Sequence, residues 1–370
     1  MKLLVTSDTH LSDRIWKHRP IEGDSYYSWH QIVDLAIAQE SDAIILAGDL
    51  LDKQTNTSKA IKELTAGLLK LSDNHVEIYF NQGQHEYQEV PWMSLGDDVA
   101  YWLEGDAIKT QTGWTITGSD FKNSEGLMEF LQSEKAVDAD ILVCHQVWLE
   151  FMGELCKPQG SFADIPASVR YLITGDYHES LCQKFGELTV ISPGSTHLRS
   201  ISEPEDKYVY SMVLPTKGQP TITSLPLRTR RVIDIKVDQN TEFKTLAGQV
   251  EAYLAMAADY ASEFGLPEHI AKPLMRLTCP QTAVELSNQV TKLVADRAHL
   301  FYKQVKFVSP DSLEPELNQH IDASERVGML NCLDTYLDKK KQPATHALAT
   351  RLLQAPDPDQ ALARWVKEQL

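Results

Sequence analysis

Cysteine is scarce in this chain of 370 residues: Cys144, Cys156, Cys182, Cys279 and Cys332 are odd in number, scattered, and without paired metal-binding spacing. That usage argues against a disulfide-stapled fold or a zinc knuckle and predicts reduced thiols in a cytoplasmic protein. Long apolar runs are missing too. Met1-Lys2-Leu3-Leu4-Val5 is apolar for only a few residues before Ser7 and Asp8, so it is not expected to act as the apolar stretch of a signal peptide. No run approaches the roughly 20 residues that a membrane-spanning helix needs. Positive charge is in deficit, with 35 Lys and Arg against 52 Asp and Glu, for a formal net charge of −17. Such a surface repels a phosphate backbone, which argues against a free-standing nucleic-acid binder. A nuclease is still allowed, because bound divalent cations reverse the sign locally and a basic partner subunit can supply the grip on DNA. Internal repeats and low-complexity segments are also lacking.

What is present is 42% hydrophobic content, enough for a large core and for one large domain with one or two smaller ones. The first half alternates β-branched runs with amphipathic stretches. Residues 2–6, 43–47 and 76–80 read as strands, and residues 27–39 and 57–71 as the helices between them, the second with Thr57 or Ser58 as N-cap. This β-α-β-α-β opening predicts parallel strands. Further strands are expected over 114–117, 141–144, 171–174, 188–191 and 208–213. With no long helices between the last three, they predict a second, more antiparallel sheet packed on the first. Between Gln219 and Arg231, Pro220, Pro226 and the cluster Arg228-Thr229-Arg230-Arg231 mark a domain boundary. A strand over 232–237, a helix over 241–264, a strand over 273–278 and a helix over 285–295 then describe a small α/β domain. From about Ser324 the pattern is helical and broken by Pro343, Pro356 and Pro358, which predicts short helices on an extended tail.

Every informative polar cluster directly follows a strand, which is where α/β sheets place ligand sites. In order these are Asp8-Thr9-His10, Gly48-Asp49-Leu50-Leu51-Asp52, Gly83-Gln84-His85-Glu86, His145, and Gly175-Asp176-Tyr177-His178. Taken singly, each has an ordinary explanation. A lone D-x-H triplet is more often a loop than a ligand pair, Gly-Asp after a strand is a common turn, and one isolated histidine is better read as a core residue. Five clusters in order, each at a strand end, are hard to obtain from independent turns. Carboxylates and imidazoles converging there suit two divalent cations about 3.5–4 Å apart, which generate a nucleophile at neutral pH and stabilise both ends of an in-line displacement at phosphorus. Phosphoester hydrolysis is the chemistry expected, centred on Asp8, His10, Asp49, His85, His145 and His178.

This order of motifs resembles the calcineurin-like metallophosphoesterases, whose pattern is D-x-H, G-D-x-x-D, G-N-H-[DE], a lone His, and G-H-x-H. Within that family the chain looks like the SbcD/Mre-type nuclease subunit of bacterial, phage and archaeal DNA-repair complexes. Ser7-Asp8-Thr9-His10-Leu11, Gly48-Asp49-Leu50-Leu51-Asp52, Ser192-Pro193-Gly194-Ser195-Thr196 and Arg230-Arg231 leading into a strand carry the likeness, which covers residues 1–236. It implies an α/β fold: a two-sheet metallophosphoesterase sandwich flanked by helices over residues 1–228, a small α/β cap or DNA-contact domain over 229–312, and a helical partner-docking segment over 313–370. It also implies two divalent metal ions, Mn²⁺ with Mg²⁺ as the alternative. Asp8, His10 and His178 would bind one, Asp49 would bridge, and Gln84, His145 and Asp176 would surround the second. His85 would stand beside the scissile phosphate as general acid or charge stabiliser, oriented through a hydrogen bond from Asp52.

Two positions depart from the family pattern, Gln84 where it has Asn and Asp176 where it has His. The added carboxylate hardens the second site and favours Mn²⁺ or Mg²⁺ over zinc. The activity implied is that of a DNA exo- or endonuclease acting beside an SbcC/Rad-type coiled-coil ATPase, compatible with a homodimer and with no membrane partner. Two alternatives stay open: a small-molecule phosphodiesterase or phosphatase, which the acidic composition suits, and a binding scaffold with reduced metal occupancy, which Gln84 and Asp176 motivate. Trp16, Tyr26, Tyr27 and Trp29, beside Lys17, His18 and Arg19, read as helix-packing residues with nucleic-acid contact as the alternative. His197, after the Ser-Pro-Gly turn, reads as structural with an approach to the metals as the alternative, and the Arg228–Arg231 cluster either touches phosphate or caps a surface strand.

Overall fold

The computed structural model describes residues 1–13, 21–95, 100–104, 107–153, 157–237, 241–280 and 284–305. Met1–Phe151 with Pro158–Lys306 make up one compact unit; a second, Met152–Lys157 with Phe307–Leu370, lies almost wholly outside the described residues. Strands β1 (Lys2–Thr6), β2 (Ala43–Ala47) and β3 (Glu77–Asn81) are buried at nearly every position and apolar at their centres because both of their faces are covered. Helices α1 (Asp24–Ala38) and α2 (Ser58–Asp73) connect them. Thr57 starts α2 by accepting the Ala60 N–H at 3.2 Å. Side-chain alternation then sorts the strands. Leu4, Ile44, Leu46, Ile78 and Phe80 pack against Trp29, Ile32, Ala36, Leu64 and Leu71 of the helices, while Leu3, Val5, Ile45 and Tyr79 face a second sheet.

The chain continues through β4 (Tyr101–Trp102), β5 (Ile108–Lys109), β6 (Thr115–Ser119), α3 (Ser124–Leu131), α4 (Glu134–Val137), β7 (Ile141–His145) and α5 (Leu149–Met152). It then forms β8 (Tyr171–Gly175), β9 (Leu181–Phe185), β10 (Leu188–Ser192), β11 (Lys207–Val213) and β12 (Thr221–Leu227). The first sheet runs β12-β11-β1-β2-β3-β4, parallel from β1 to β4, with β11 and β12 antiparallel at one edge. The second runs β5-β6-β7-β8-β10-β9, in which β6, β7, β8 and β10 are parallel and only the edge strands β5 and β9 are antiparallel. The expected grouping is thereby corrected twice. Residues 208–213 belong to the first sheet, where Tyr210 pairs with Val5, and the second sheet is mostly parallel. The missing crossover helix between β8 and β10 misled, because β9 makes the return along the outside of β10 and so delivers β10 parallel to β8. Strand β12 falls inside the stretch read as a boundary; Pro226 is tolerated there because β12 is an edge strand.

Beyond it, β13 (Val232–Lys236), α6 (Phe243–Glu263), α7 (Glu268–Ala271), β14 (Leu274–Pro280), α8 (Val284–Val294) and β15 (His299–Val305) build a parallel sheet in the order β13-β14-β15. Leu246, Val250 and Leu254 of α6 and Val290 of α8 cover Ile235, Met275 and Leu277. Arg230 ties this part to the core: buried, it donates through Nε and Nη2 to Asp24 at 2.8 and 2.9 Å, and to the carbonyls of Lys272 and His269 at 2.6 Å each. Arg231 pairs with Glu205 at 2.6 Å, and Arg228 lies 3.8 Å from the centroid of the Phe264 ring. The arginine cluster is therefore structural, its guanidinium groups committed to protein partners. Tyr26 and Trp29 are buried in helix packing, whereas Trp16, Lys17, His18, Arg19 and the tail over 313–370 lie outside the described residues. Cys144, Cys182 and Cys279 are free thiols. No described helix is long and apolar enough to cross a membrane.

Candidate metal centre

The turns that leave β1 and β2 run side by side. Asp8 N–H donates to Gly48 O at 3.1 Å, His10 N–H to Asp49 O at 2.8 Å, and Leu11 N–H to Leu50 O at 2.8 Å. Asp8, His10, Asp49 and Asp176 adopt φ of 51°, 44°, 50° and 73°, a left-handed region that L-residues avoid. Each such residue costs on the order of 1–3 kcal/mol, and strain gathered at one spot points to function rather than to folding convenience.

Three sets of donor atoms lie within 4.8 Å of one another: Asp8, His10 and His178; Asp8, Asp49 and His145; and His10, Asp52 and His85. His178 Nε2 is 3.6 Å from Asp8 Oδ1 and 3.4 Å from His10 Nε2. His145 Nε2 is 3.3 Å from Asp49 Oδ2 and 3.8 Å from both Asp8 Oδ1 and Asp176 Oδ1. Gln84 Nε2 donates to Asp176 Oδ1. The fold thus gathers Asp8, His10, Asp49, Gln84, His145, Asp176 and His178 in one cluster, with His85 beside it. Asp8 Oδ2, Gln84 Oε1 and His145 Nε2 are buried without a hydrogen-bond partner. Orphans of this kind cost about 1–3 kcal/mol each. Oxygen and imidazole donors left bare together are a set that a divalent cation satisfies, so the residues fit the metal chemistry of such a site.

His145, His178 and His85 are each aimed by the other ring nitrogen, whereas His10 Nδ1 is buried without a hydrogen-bond partner. His145 Nδ1–H donates to Ala47 O at 2.9 Å, which leaves Nε2 facing the carboxylates. Its ring lies so close to Gly48 (φ 79°) and Gly175 that a Cβ at either would strike it. His178 Nδ1–H donates to Glu203 Oε1 at 3.1 Å, and Glu203 Oε2 accepts from Lys207 Nζ and Ser195 Oγ, each at 3.0 Å. His85 is the opener case, 38% exposed. Its Nδ1–H donates to the backbone carbonyl of Asp52 at 2.9 Å, and its own N–H to Asp49 Oδ1 at 2.9 Å. The Asp52 carboxylate, expected to orient His85, instead accepts from Arg199 Nη2 at 2.7 Å. His197 is buried, with Nε2 unpartnered.

Electrostatics follow from crowding carboxylates and imidazoles away from water. Burial pushes the Asp8 carboxyl up. Burial, with Arg199 and His178 nearby, holds His10 well below the usual histidine range. Burial also opposes charging His145, yet Asp49, Asp8 and Asp176 outweigh it and hold this ring well above that range. Glu86, whose Oε2 accepts the Leu51 N–H at 2.6 Å, is pushed up to about 8 by burial and then by Asp49. Sequence reasoning gave no role to Glu86, Arg199, Glu203 or Lys207. The one signal for the last three was their place shortly after Ser192-Pro193-Gly194-Ser195-Thr196; an ion pair that becomes buried only on folding has no local sequence mark.

A strained, buried cluster of aspartates and histidines at parallel strand ends of a two-sheet sandwich defines a metal-dependent phosphoesterase. The chain belongs to the calcineurin-like phosphoesterases, whose family profile matches residues 1–192. It is similar to the DNA double-strand break repair protein Mre11 of Methanosarcina mazei, 26% identical over 269 residues that cover 69% of this chain and 43% of that protein. The protein of the same name from Thermoplasma acidophilum is 25% identical over 215 residues, 53% of this chain and 56% of its own. The chain spans about half the length of these curated relatives. Among solved structures, TT1561 of Thermus thermophilus covers 61% of this chain and 99% of its own at 14% identity, with a TM-score of 0.41.

Proposed function

We propose that this chain is a metal-dependent nuclease that hydrolyses phosphodiester bonds in DNA, working in DNA repair or recombination beside a coiled-coil ATPase. The observation that carries the reading is the meeting of two donor sets at Asp8, with half-exposed His85 alongside; the name shared by the relatives supports DNA as substrate. On this reading Asp8, His10 and His178 hold one cation, Asp49 is shared, and Gln84, His145 and Asp176 hold the other. Three aspartates and an amide oxygen favour Mn²⁺, with Mg²⁺ the alternative. Such ions supply Lewis-acid activation of water and neutralise charge at phosphorus. His85, its Nδ1–H fixed on the Asp52 carbonyl, turns Nε2 toward Asp49 and serves as general acid to the leaving oxygen. Residues 1–228 form the nuclease domain, 229–312 a DNA-contacting cap, and 313–370 the segment that docks on the ATPase, in a cytoplasmic complex.

The test is incubation of single- and double-stranded DNA with the purified chain and Mn²⁺, with and without the coiled-coil ATPase and against a His85→Ala control. Cleavage that needs both the metal and His85 is expected, and intact DNA in every arm rejects the nuclease reading. The net charge of −17 favours one rival, a small-molecule phosphodiesterase. Efficient turnover of bis-p-nitrophenyl phosphate with DNA left whole would select it.

A further inference from the structure

Among the described residues, Arg199 is the accessible cation beside this site. Its N–H donates to Glu203 Oε2 at 3.2 Å and its Nη2 to Asp52 Oδ1 at 2.7 Å. The carboxylate oxygen that Arg199 holds lies 3.8 Å from His10 Nδ1 and belongs to a donor set with His10 and His85, which places the guanidinium beside the metal cluster. The neighbouring cation, Lys207, is 2% exposed and committed to Ser195 Oγ at 2.7 Å and Glu203 Oε2 at 3.0 Å. Arg199 is different: its side chain is 22% exposed, and among the described residues Nε and Nη1 have no acceptor. A guanidinium held by one nitrogen on one carboxylate oxygen, with its remaining donors open beside a phosphoesterase cluster, keeps the planar fork that matches two oxygens of a phosphoryl group.

We propose that Arg199 grips a non-bridging oxygen of the substrate phosphate and that Asp52 is the positioning residue that aims it. The proposal rests on the phosphoester reading and deepens it. It gives the Asp52 carboxylate a task, since the backbone carbonyl of the same residue already orients His85. A permanent cation also suits this place: in a chain of net charge −17, Asp8, Asp49, Asp52, Asp176 and Glu203 all crowd one cluster, and an anionic ester needs a fixed positive group as well as metals to be held there.

The experiment is calorimetric titration of inorganic phosphate into the Mn²⁺-loaded full chain, paired with steady-state hydrolysis of bis-p-nitrophenyl phosphate, for wild type, Arg199→Gln, Arg199→Lys and Asp52→Ala. Losing a charge-assisted hydrogen bond predicts that Arg199→Gln weakens phosphate by about ten- to a hundredfold, raises KM more than it lowers kcat, and leaves the Mn²⁺ isotherm unchanged. Arg199→Lys restores charge without the fork and recovers part of the loss. Asp52→Ala lies between wild type and Arg199→Gln, and adding it to Arg199→Gln costs nothing more. Wild-type phosphate affinity in Arg199→Gln, or a loss that merely follows lost Mn²⁺, overturns the proposal. Should neither DNA nor bis-p-nitrophenyl phosphate be hydrolysed, the phosphoesterase reading fails by itself, and the phosphate titration still decides whether Arg199 grips the anion.

Discussion

The two halves of the metal cluster are built differently. Around His178 the support comes from behind: Glu203 holds the ring and is itself held by Lys207 and Ser195. Around Asp176 the support is lateral, since Gln84 bonds Asp176 directly and His145 leans on the Ala47 carbonyl. His178 and His145 are both presented already oriented, whereas Gln84 and Asp176 are tied to each other with Gln84 Oε1 left bare. Orientation supplied by outside partners costs nothing at the moment of binding. A side-by-side amide–carboxylate bond has to be shared or rearranged. One fold can thus hold one metal position rigidly and leave its neighbour adjustable, and the two halves should differ in affinity and in choice of ion.

The strongest way to break this contrast is to remove what the halves share. Asp49 lies 3.7 Å from His10 Nε2 and 3.3 Å from His145 Nε2, so Asp49→Ala should lose metal from both positions and reduce hydrolysis to background, as read by metal analysis and ester turnover. Retention of two tightly bound ions would show that the halves are independent. Next in size is His85→Ala, which removes a ring packed edge-on against His10 but keeps the N–H that Asp49 accepts. Losing a general acid predicts a rate loss of about 10²–10⁴ with the metal count unchanged; a fall in metal content instead would make His85 a ligand.

Glu203→Gln tests the first half alone. An orienting partner of a metal-bound histidine is worth about 10–100-fold in affinity, so titration with Mn²⁺ should show one site weakened by that factor and the other untouched. Equal weakening of both would erase the distinction between them. For the second half, Asp176→His removes the carboxylate bonded by Gln84 and softens the donor set. A severalfold shift of that site from Mn²⁺ toward Zn²⁺ is expected in competition binding, and no shift means that Asp176 does not set the ion preference.

How much of this could be read from the chain divides along the same line. The strand-end clusters were visible because a ligand must sit next to the strand that places it, so Asp8, His10, Asp49, His145 and His178 stood at fixed offsets from apolar runs. The supports were not visible. Glu203 and Lys207 are two charged residues among many until folding buries them together, and Arg199 reaches Asp52 across 147 positions. Strands β1, β2 and β3 were legible from unbroken apolar runs. The place of β11 was not, because edge addition to a sheet leaves the same alternating pattern whichever sheet receives it.

The smallest effect probes the support network through acid. His197 is 2% exposed, and burial, followed by Arg199, lowers its pKa from 6.5 to about 3. The unfolded chain takes up this proton near pH 6.5, whereas the folded chain resists until about 3, so between those values the unfolded state binds more protons. Stability from the neutral ring is thus complete above the unfolded value and drains away as pH falls toward the folded one. His197→Gln removes the titration, so the gap in Tm between wild type and variant, measured by thermal unfolding in chelator, should change steadily in the variant's favour as pH drops from about 7 to about 4. Chelator matters here, because metal release in acid would otherwise lower both curves. A gap independent of pH would mean that His197 is hydrated in solution, and its burial would not be what holds the ring neutral.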